Sequence, residues 1–208
     1  MRVRPRIALA AVATALVIGL AVAVTFGGSS RRSSPSGSSS SATAPAGFDG
    51  AALPANSRPH DFTLVDQSGR SVSLSRYRGQ VAIIAFLYSG CGPCILIAQQ
   101  IRGALDELAH PVPVLFISAD PVADTPARVG RFLAQVSLTG RARYLTGSLA
   151  ALRPVWRAYG AAPQASGRAA FQRSASVLLL DRSGRARVVF GLEQLTPEGL
   201  AHDVRKLS

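Results

Sequence analysis

The chain has 208 residues, and the composition of its first fifty is unlike that of a folded domain. About 160 residues remain, which is the size of one domain with a single core. The formal charge is +12, and of the 23 basic residues only Lys206 is a lysine. Because the arginines are scattered singly along the chain, the sequence predicts no nucleic-acid partner.

The N-terminus has the pattern of a targeting segment. A short basic lead, M-R-V-R-P-R, precedes an apolar run of 20 residues from Ile7 to Phe26, long enough to span a bilayer as a helix. Residues 1–27 are therefore interpreted as a signal anchor or a signal peptide, since Ala21, Val22 and Ala23 fit a cleavage site. The basic lead favours a cytoplasmic N-terminus. We expect a single-pass membrane protein with its domain on the extracytoplasmic side, or a secreted protein if the signal is cleaved.

Residues 28–58 are predicted to form a flexible linker. They are rich in serine, glycine and proline, and their first part has almost no apolar side chain larger than alanine. Such a segment cannot offset the entropy cost of ordering its backbone. The folded domain is predicted over residues 59–208.

The first elements of the domain follow from the hydrophobic pattern. Two short strands are predicted near Phe62 to Val65 and Ser71 to Leu74, around a D-Q-S-G turn. The continuous β-branched and aromatic run from Val81 to Tyr88 predicts a strand buried on both faces. A helix is predicted from the residue after Cys91 to about Leu108.

The second half of the domain alternates in the same way. V-P-V-L-F-I-S predicts another buried strand, and the next helix has Pro126 in its first turn with Asp124 or Thr125 as its cap. A third helix is predicted across S-L-A-A-L-R-P-V-W-R-A-Y-G, where Pro154 indicates a kink or a late start. A hairpin from A-S-V-L-L-L-D and R-A-R-V-V-F-G precedes a closing helix. This order predicts an α/β fold with a central sheet flanked by helices and an N-terminal hairpin.

The two cysteines of the chain lie between the buried strand and its helix, as C-G-P-C. Cys91 is placed at the helix N-terminus, where unpaired N–H groups and the helix dipole stabilise a thiolate. Cys94 follows in the first turn and can attack a mixed disulfide formed at Cys91. Gly92 allows close approach of a substrate backbone, and Pro93 occupies a position where a missing N–H costs nothing. The pattern favours a thiol–disulfide oxidoreductase with Cys91 and Cys94 as its catalytic pair.

Two structural alternatives explain the cysteine pair less well. A disulfide across so small a loop removes little entropy from the unfolded chain, far less than the roughly 3 kcal/mol expected for a 15-residue loop. A structural zinc site would need four ligands, and the chain has no second cysteine pair.

C-G-P-C at a strand-to-helix junction is typical of the thioredoxin superfamily. The wider pattern from Phe62 to Leu207 resembles the SCO/SenC family, through F-T-L-V-D-Q-S-G-R, then I-S-A-D-P-V-A-D-T-P-A-R-V-G-R-F-L, and S-A-S-V-L-L-L-D-R-S-G-R. This resemblance implies a thioredoxin-like fold, a membrane anchor and a role in cytochrome c oxidase assembly. The partner it implies is a protein disulfide or dithiol, such as a membrane-bound oxidase subunit or an apocytochrome.

The chain departs from the SCO/SenC pattern at its copper site. That site resembles Cys-x-x-x-Cys-Pro with a histidine before the late Ser-Ala, whereas here two residues separate the cysteines and Arg173 takes the place of the histidine. A guanidinium offers no lone pair to a metal. Arg173 is instead a candidate for lowering the pKa of the cysteines, or a solvated surface arginine.

Copper remains the alternative, because Cys91 and Cys94 alone could hold soft Cu(I) in a chaperone without catalysis. The exchange reaction itself requires no cofactor. The three histidines, His60, His110 and His202, are expected to be exposed polar residues.

Three further assignments follow from position in the sequence. Asp120 and Asp124 are interpreted as a turn and a helix cap rather than a metal-binding pair. Ala85 stands where thioredoxins resemble one another in having a buried aspartate that assists proton transfer. Three aromatic residues, Phe86, Tyr88 and Trp156, are expected in the core or in a groove.

Overall fold

The structure is a computed structural model that describes residues 47–54, 60–161, 171 and 175–208. The predicted signal segment, most of the predicted linker and Arg173 lie outside these residues. Within the described ranges, no helix has both the length and the apolar character needed to cross a membrane.

A six-stranded mixed sheet forms the centre of the domain. Its strands, in spatial order, are β1 (Ala51–Ala52), β8 (Ala186–Gly191), β7 (Ser176–Leu180), β4 (Ala82–Leu87), β5 (Val114–Ser118) and β6 (Arg143–Leu145). A separate two-stranded hairpin consists of β2 (Thr63–Val65) and β3 (Ser71–Ser73). A short 3₁₀ turn, Leu74–Tyr77, follows the hairpin.

Four helices of the described ranges flank the sheet, and their bounds agree with the predicted ones. They are α1 (Gly92–Glu107), α2 (Pro126–Gln135), α3 (Leu149–Ala158) and α4 (Pro197–Leu207). The predicted fold class, a thioredoxin-like α/β fold with a leading hairpin, is confirmed.

The middle of the sheet explains the uninterrupted apolar runs in the sequence. Every residue of β4 and of β5 is buried, because helices and neighbouring strands surround both. β4 pairs in parallel with β5 and antiparallel with β7. The carboxyl ends of the two parallel strands therefore meet at one edge of the sheet, where the cysteines follow β4.

Helix starts follow capping rules, with two corrections to the sequence analysis. The cap of α2 is Thr125, whose Oγ1 accepts from the Arg128 N–H at 3.4 Å, so Asp124 is not the cap. α3 begins at Leu149 after its cap Ser148. Pro154 lies inside that helix, and the interpretation that it marks a late start is wrong.

Residues 47–54 belong to the predicted linker but contact the domain. β1 pairs antiparallel with the edge of β8, and the N–H groups of Asp49 and Gly50 donate to the buried carboxylate of Asp203 at 2.9 Å each. Asp203 lies on α4 and is fully buried. This part of the predicted linker is thus attached to the domain.

Candidate functional site at the N-terminus of α1

The cysteines lie where β4 gives way to α1. The N–H of Cys91 donates to the Tyr88 carbonyl oxygen at 3.1 Å, closing a tight turn after the strand. Cys91 has extended backbone and is the N-cap of α1, and Pro93 occupies the first turn. The order strand, turn, cysteine and helix was predicted from the sequence.

Cys91 and Cys94 form a disulfide with a Cα–Cα distance of 5.1 Å. The Cys91 Sγ also accepts a hydrogen bond from the Cys94 N–H at 3.1 Å, which places that sulfur at the N-terminal end of a 16-residue helix. A thiolate at the same position would keep this donor and the positive end of the helix dipole. The geometry therefore favours Cys91 as the nucleophile of the reduced pair.

Both sulfur-bearing side chains are closed off from solvent. Cys91 and Cys94 are each 0% exposed, whereas Gly92 between them is exposed. A Cβ built on Gly92 would have no atom within 4 Å, so the space above this residue is open. A partner can thus approach the backbone at Gly92. To reach the Cys91 sulfur, it requires that the residues covering this sulfur move aside.

A buried carboxylate supports the turn that precedes Cys91. Asp124 is 3% exposed, and its Oδ1 accepts from the Ser89 N–H at 2.7 Å. Its Oδ2 accepts from the Ser118 hydroxyl at 2.6 Å and from the Tyr144 hydroxyl at 2.7 Å. Asp124 therefore joins the cysteine turn to the end of β5 and to β6.

This network continues to the only tryptophan of the chain. The indole N–H of Trp156 donates to the carbonyl oxygen of Ser118 at 2.9 Å. Burial raises the pKa of Tyr144 well above its usual range, and the adjacent Asp124 charge and hydrogen bond add to the effect. The Tyr144 hydroxyl therefore stays protonated and remains a donor to Asp124.

The role of Asp124 was missed in the sequence analysis. An aspartate before Thr-Pro at a helix start has the pattern of a cap, and nothing local distinguishes a cap from a buried side chain. Asp120 does close a turn, accepting from the Ala123 N–H at 3.1 Å, as predicted. Ala85, which stands where thioredoxins have a buried aspartate, is fully buried in β4. The buried carboxylate at this end of the sheet belongs instead to Asp124, which precedes α2.

The remaining predicted site residues are placed as follows. Phe86, Tyr88 and Trp156 are core aromatics, at 3%, 4% and 3% exposed. Arg173 lies outside the described residues, and its proposed effect on the cysteine pKa stays a prediction.

The described residues offer copper a limited set of ligands. All three histidines are exposed, as predicted. His202 lies on α4, and its Nδ1 is 3.2 Å from an Asp49 carboxylate oxygen and 3.0 Å from an Asp203 carboxylate oxygen. Across the described ranges, the single group of three potential His, Cys, Asp or Glu ligands is Asp49, His202 and Asp203. The cysteine pair thus supplies Cu(I) with two sulfur ligands and no third ligand of these kinds from the described residues.

Comparison with known proteins identifies the family. The SCO1/SenC family model matches residues 51–208. The chain belongs to the SCO1/SenC family. The resemblance drawn from the sequence is thereby confirmed, and the match begins earlier than Phe62 because it includes β1. No curated protein sequence matches the chain significantly.

Solved Sco structures share the fold. ScoI of Bradyrhizobium japonicum, solved with copper bound, is 28% identical, with a TM-score of 0.54, covering 72% of this chain and 99% of its own. Apo Sco1 of Thermus thermophilus is 21% identical, with a TM-score of 0.62, covering 78% and 98%. BsSco, a cytochrome c oxidase assembly protein of the Sco family in which a disulfide switch was identified, is 22% identical, with a TM-score of 0.62. The match covers 74% of this chain and 95% of BsSco.

Proposed function

We propose that this SCO1/SenC protein is a membrane-tethered, extracytoplasmic thiol–disulfide oxidoreductase acting through Cys91 and Cys94. The observation that carries the proposal is the placement of a disulfide-forming C-G-P-C pair at the N-terminus of α1, where the described residues form no group of metal ligands that includes the two sulfurs. The apolar run after the basic N-terminal lead supports the membrane tether.

The proposed exchange moves two electrons between the pair and a protein partner. In the reducing direction, the Cys91 thiolate attacks one sulfur of a partner disulfide, and the other partner sulfur leaves as a thiolate. The Cys94 thiolate then attacks the Cys91 sulfur of the mixed disulfide, which releases the second partner thiolate. The partner ends reduced, with its sulfurs protonated from solvent, and the Cys91–Cys94 disulfide forms. The reverse sequence oxidises a partner dithiol.

The partner fits the SCO1/SenC family through its chemistry. One structure of the family, BsSco, belongs to a cytochrome c oxidase assembly protein. A cysteine pair without copper, in an oxidase subunit or an apocytochrome, would be a thiol substrate for the Cys91–Cys94 pair. A tether at the membrane would keep the domain near such a membrane-bound partner at a high effective concentration.

The test uses the reduced full chain in detergent, mixed with insulin as a model protein disulfide. We expect the wild-type pair to become oxidised as insulin thiols appear in equal amount. Cys94→Ser should stop at a mixed disulfide, because the resolving thiol is missing. Cys91→Ser should transfer no electrons, and wild-type transfer by that variant would overturn the proposal.

A copper chaperone is the second candidate, favoured by the copper-bound ScoI structure at 28% identity. In that function the two thiolates hold Cu(I) and pass it on without turnover. One equivalent of Cu(I) retained by the wild type, but not by Cys91→Ser, against a competing chelator would support it. If Cu(I) leaves the reduction potential of the Cys91–Cys94 pair unchanged, the result would favour the oxidoreductase.

A further inference from the structure

We infer that Asp124 is a positioning residue for the Cys91–Cys94 pair, its carboxylate holding the turn that presents Cys91 at the N-terminus of α1. The inference rests on the proposed exchange function and concerns the same site. It starts from the one hydrogen bond that links Asp124 to the cysteine turn, from the Ser89 N–H to the Asp124 Oδ1 at 2.7 Å.

The Asp124 carboxylate is itself held in place from two other elements. Ser118, fully buried at the end of β5, and Tyr144, fully buried in β6, both donate to its Oδ2. The Asp124 N–H adds a fourth anchor, donating to the Asp120 carbonyl oxygen at 3.0 Å. Hydrogen bonds to an ionised, buried carboxylate are stronger and shorter than neutral ones, so this acceptor has little freedom to move.

The turn between β4 and α1 depends on this acceptor. Ser89 directly follows Tyr88 and stands two residues before Cys91. Two backbone N–H groups of the turn are bonded: the Ser89 N–H donates to Asp124, and the Cys91 N–H donates to the Tyr88 carbonyl oxygen. The first of these bonds reaches outside the turn, and it ties the turn to the β5–α2 loop and so to the sheet.

Loss of this attachment should alter the balance between dithiol and disulfide. In the reduced protein a detached turn gains conformational freedom, and closing the disulfide must then remove that freedom. We expect Asp124→Ala to shift the dithiol–disulfide equilibrium about tenfold toward the dithiol, which corresponds to about 30 mV. Asp124→Asn keeps an oxygen that can accept from the Ser89 N–H, while the Ser118 and Tyr144 hydroxyls can reverse to accept from its amide. We expect that variant to shift the equilibrium less than about threefold.

Asp203→Asn is the matched control. Asp203 is also a buried carboxylate that accepts backbone N–H groups, but it binds Asp49 and Gly50 beside the edge strand β1, three strands away from β4. Its substitution lowers stability without touching the cysteine turn. We expect the equilibrium of this variant to stay within about threefold of wild type.

The experiment equilibrates each full-chain variant in detergent with glutathione buffers and measures the oxidised fraction by thiol alkylation. A tenfold shift in Asp124→Ala, with a smaller one in Asp124→Asn, supports positioning. The inference is overturned if Asp124→Ala stays within threefold of wild type, if Asp124→Asn shifts as far, or if Asp203→Asn shifts equally. If Asp124→Ala does not fold, Asp124→Ser takes its place, since its shorter side chain does not reach Ser89. Failure of the wild-type pair to exchange at all would overturn the proposed function instead.

Discussion

The same five-residue pattern, D-x-S-G-R, occurs twice in this chain, and the two copies lie in different environments. The first, Asp66 to Arg70, joins β2 to β3, and the second, Asp181 to Arg185, joins β7 to β8. In each copy the aspartate Oδ1 accepts from the serine N–H at 2.9 Å and from the serine hydroxyl at 2.6 Å. The local structure of the two turns is therefore nearly identical.

What differs is the second carboxylate oxygen. The side chain of Asp66 is 0% exposed, and its Oδ2 accepts from Arg143 of β6 at 2.7 Å. The side chain of Asp181 is 16% exposed, and its Oδ2 accepts from Arg187 within its own hairpin at 3.3 Å. The first turn thus attaches a separate hairpin to the central sheet, whereas the second completes a hairpin that the sheet already holds. The same turn pattern can therefore place its aspartate in a long-range ion pair or in one within its own hairpin.

β6 carries Tyr144 as well as Arg143, and Tyr144 links the first turn to the candidate site. The Tyr144 N–H donates to the side chain of Gln67 in the first turn at 2.9 Å, and its hydroxyl donates to Asp124. The first turn and the cysteine turn are thus connected through two residues, Tyr144 and Asp124.

The largest difference is expected on deleting the two carboxylates. Asp66→Ala should lower the free energy of unfolding by about 3 kcal/mol, because it leaves part-buried N–H groups and Arg143 without their buried acceptor. Asp181→Ala should cost about 1 kcal/mol, since water can reach its partners. Denaturant unfolding of the full chain in detergent checks both values. Equal losses of unfolding free energy would show that burial of the aspartate does not determine how much it stabilises the protein.

Lowering the pH should protonate Asp66 and so remove part of the stability that its carboxylate provides. Burial raises the pKa of Asp66, but the Ser68 hydroxyl, the backbone N–H groups of Arg70 and Ser68 and the Arg70 charge outweigh it and hold the pKa far below its usual range. A carboxyl with a lowered folded pKa stabilises the protein above its unfolded pKa, and that contribution is lost as the pH falls toward the folded value. The difference in unfolding free energy between wild type and Asp66→Asn should therefore narrow as the pH falls from 5 to 2.5, as measured by denaturant unfolding.

The same measurement on Asp181→Asn is the control for pH. Burial raises the pKa of Asp181 too, and hydrogen bonds from Ser183, Arg185 and Arg187 lower it overall. The difference in unfolding free energy between wild type and Asp181→Asn should also narrow from pH 5 to pH 2.5, but by less than the difference for Asp66→Asn. A larger change at Asp181 than at Asp66 would contradict the comparison.

Removing the arginine partners should have a smaller effect. Arg143→Gln should cost about 1.5 kcal/mol, because it weakens the attachment of a fully buried carboxylate, although the arginine itself is 35% exposed and screened. Arg187→Gln should cost about 0.5 kcal/mol. Thermal unfolding of both variants, with and without 0.5 M salt, is the measurement, and equal losses would indicate that the arginine bonds contribute only locally.

The smallest difference is expected at the turn glycines. Gly69 and Gly184 have φ of 77° and 81°, in the region that disfavours a side chain. Each substitution by alanine should cost about 1 kcal/mol, because the strain arises from the backbone and not from burial. Unequal losses would mean that the two turns differ in backbone geometry as well as in their surroundings.

The sequence was informative wherever structure follows from local rules. The apolar run of β4, the proline-marked start of α2 and the D-x-S-G turns all depend on neighbours along the chain, and each was predicted within a few residues. β1 and β6 were missed because two or three residues carry no readable periodicity, and these strands exist only through pairing with β8 and β5.

The candidate site divides in the same way. The strand, turn and helix around Cys91 and Cys94 were predictable, since capping and C-x-x-C spacing are local. The Asp124 contact with Ser89 joins residues 35 positions apart, and only the folded topology shows it.

The position of the lone tryptophan gives this protein an intrinsic optical probe. Trp156 is the single indole of the chain, it is 3% exposed, and its N–H is bonded to the carbonyl of Ser118, whose hydroxyl is bonded to Asp124. Tryptophan emission therefore originates entirely beside the network that ends at the cysteine turn. Rearrangement of that turn during turnover can be followed by fluorescence in real time, without attaching a label to either cysteine.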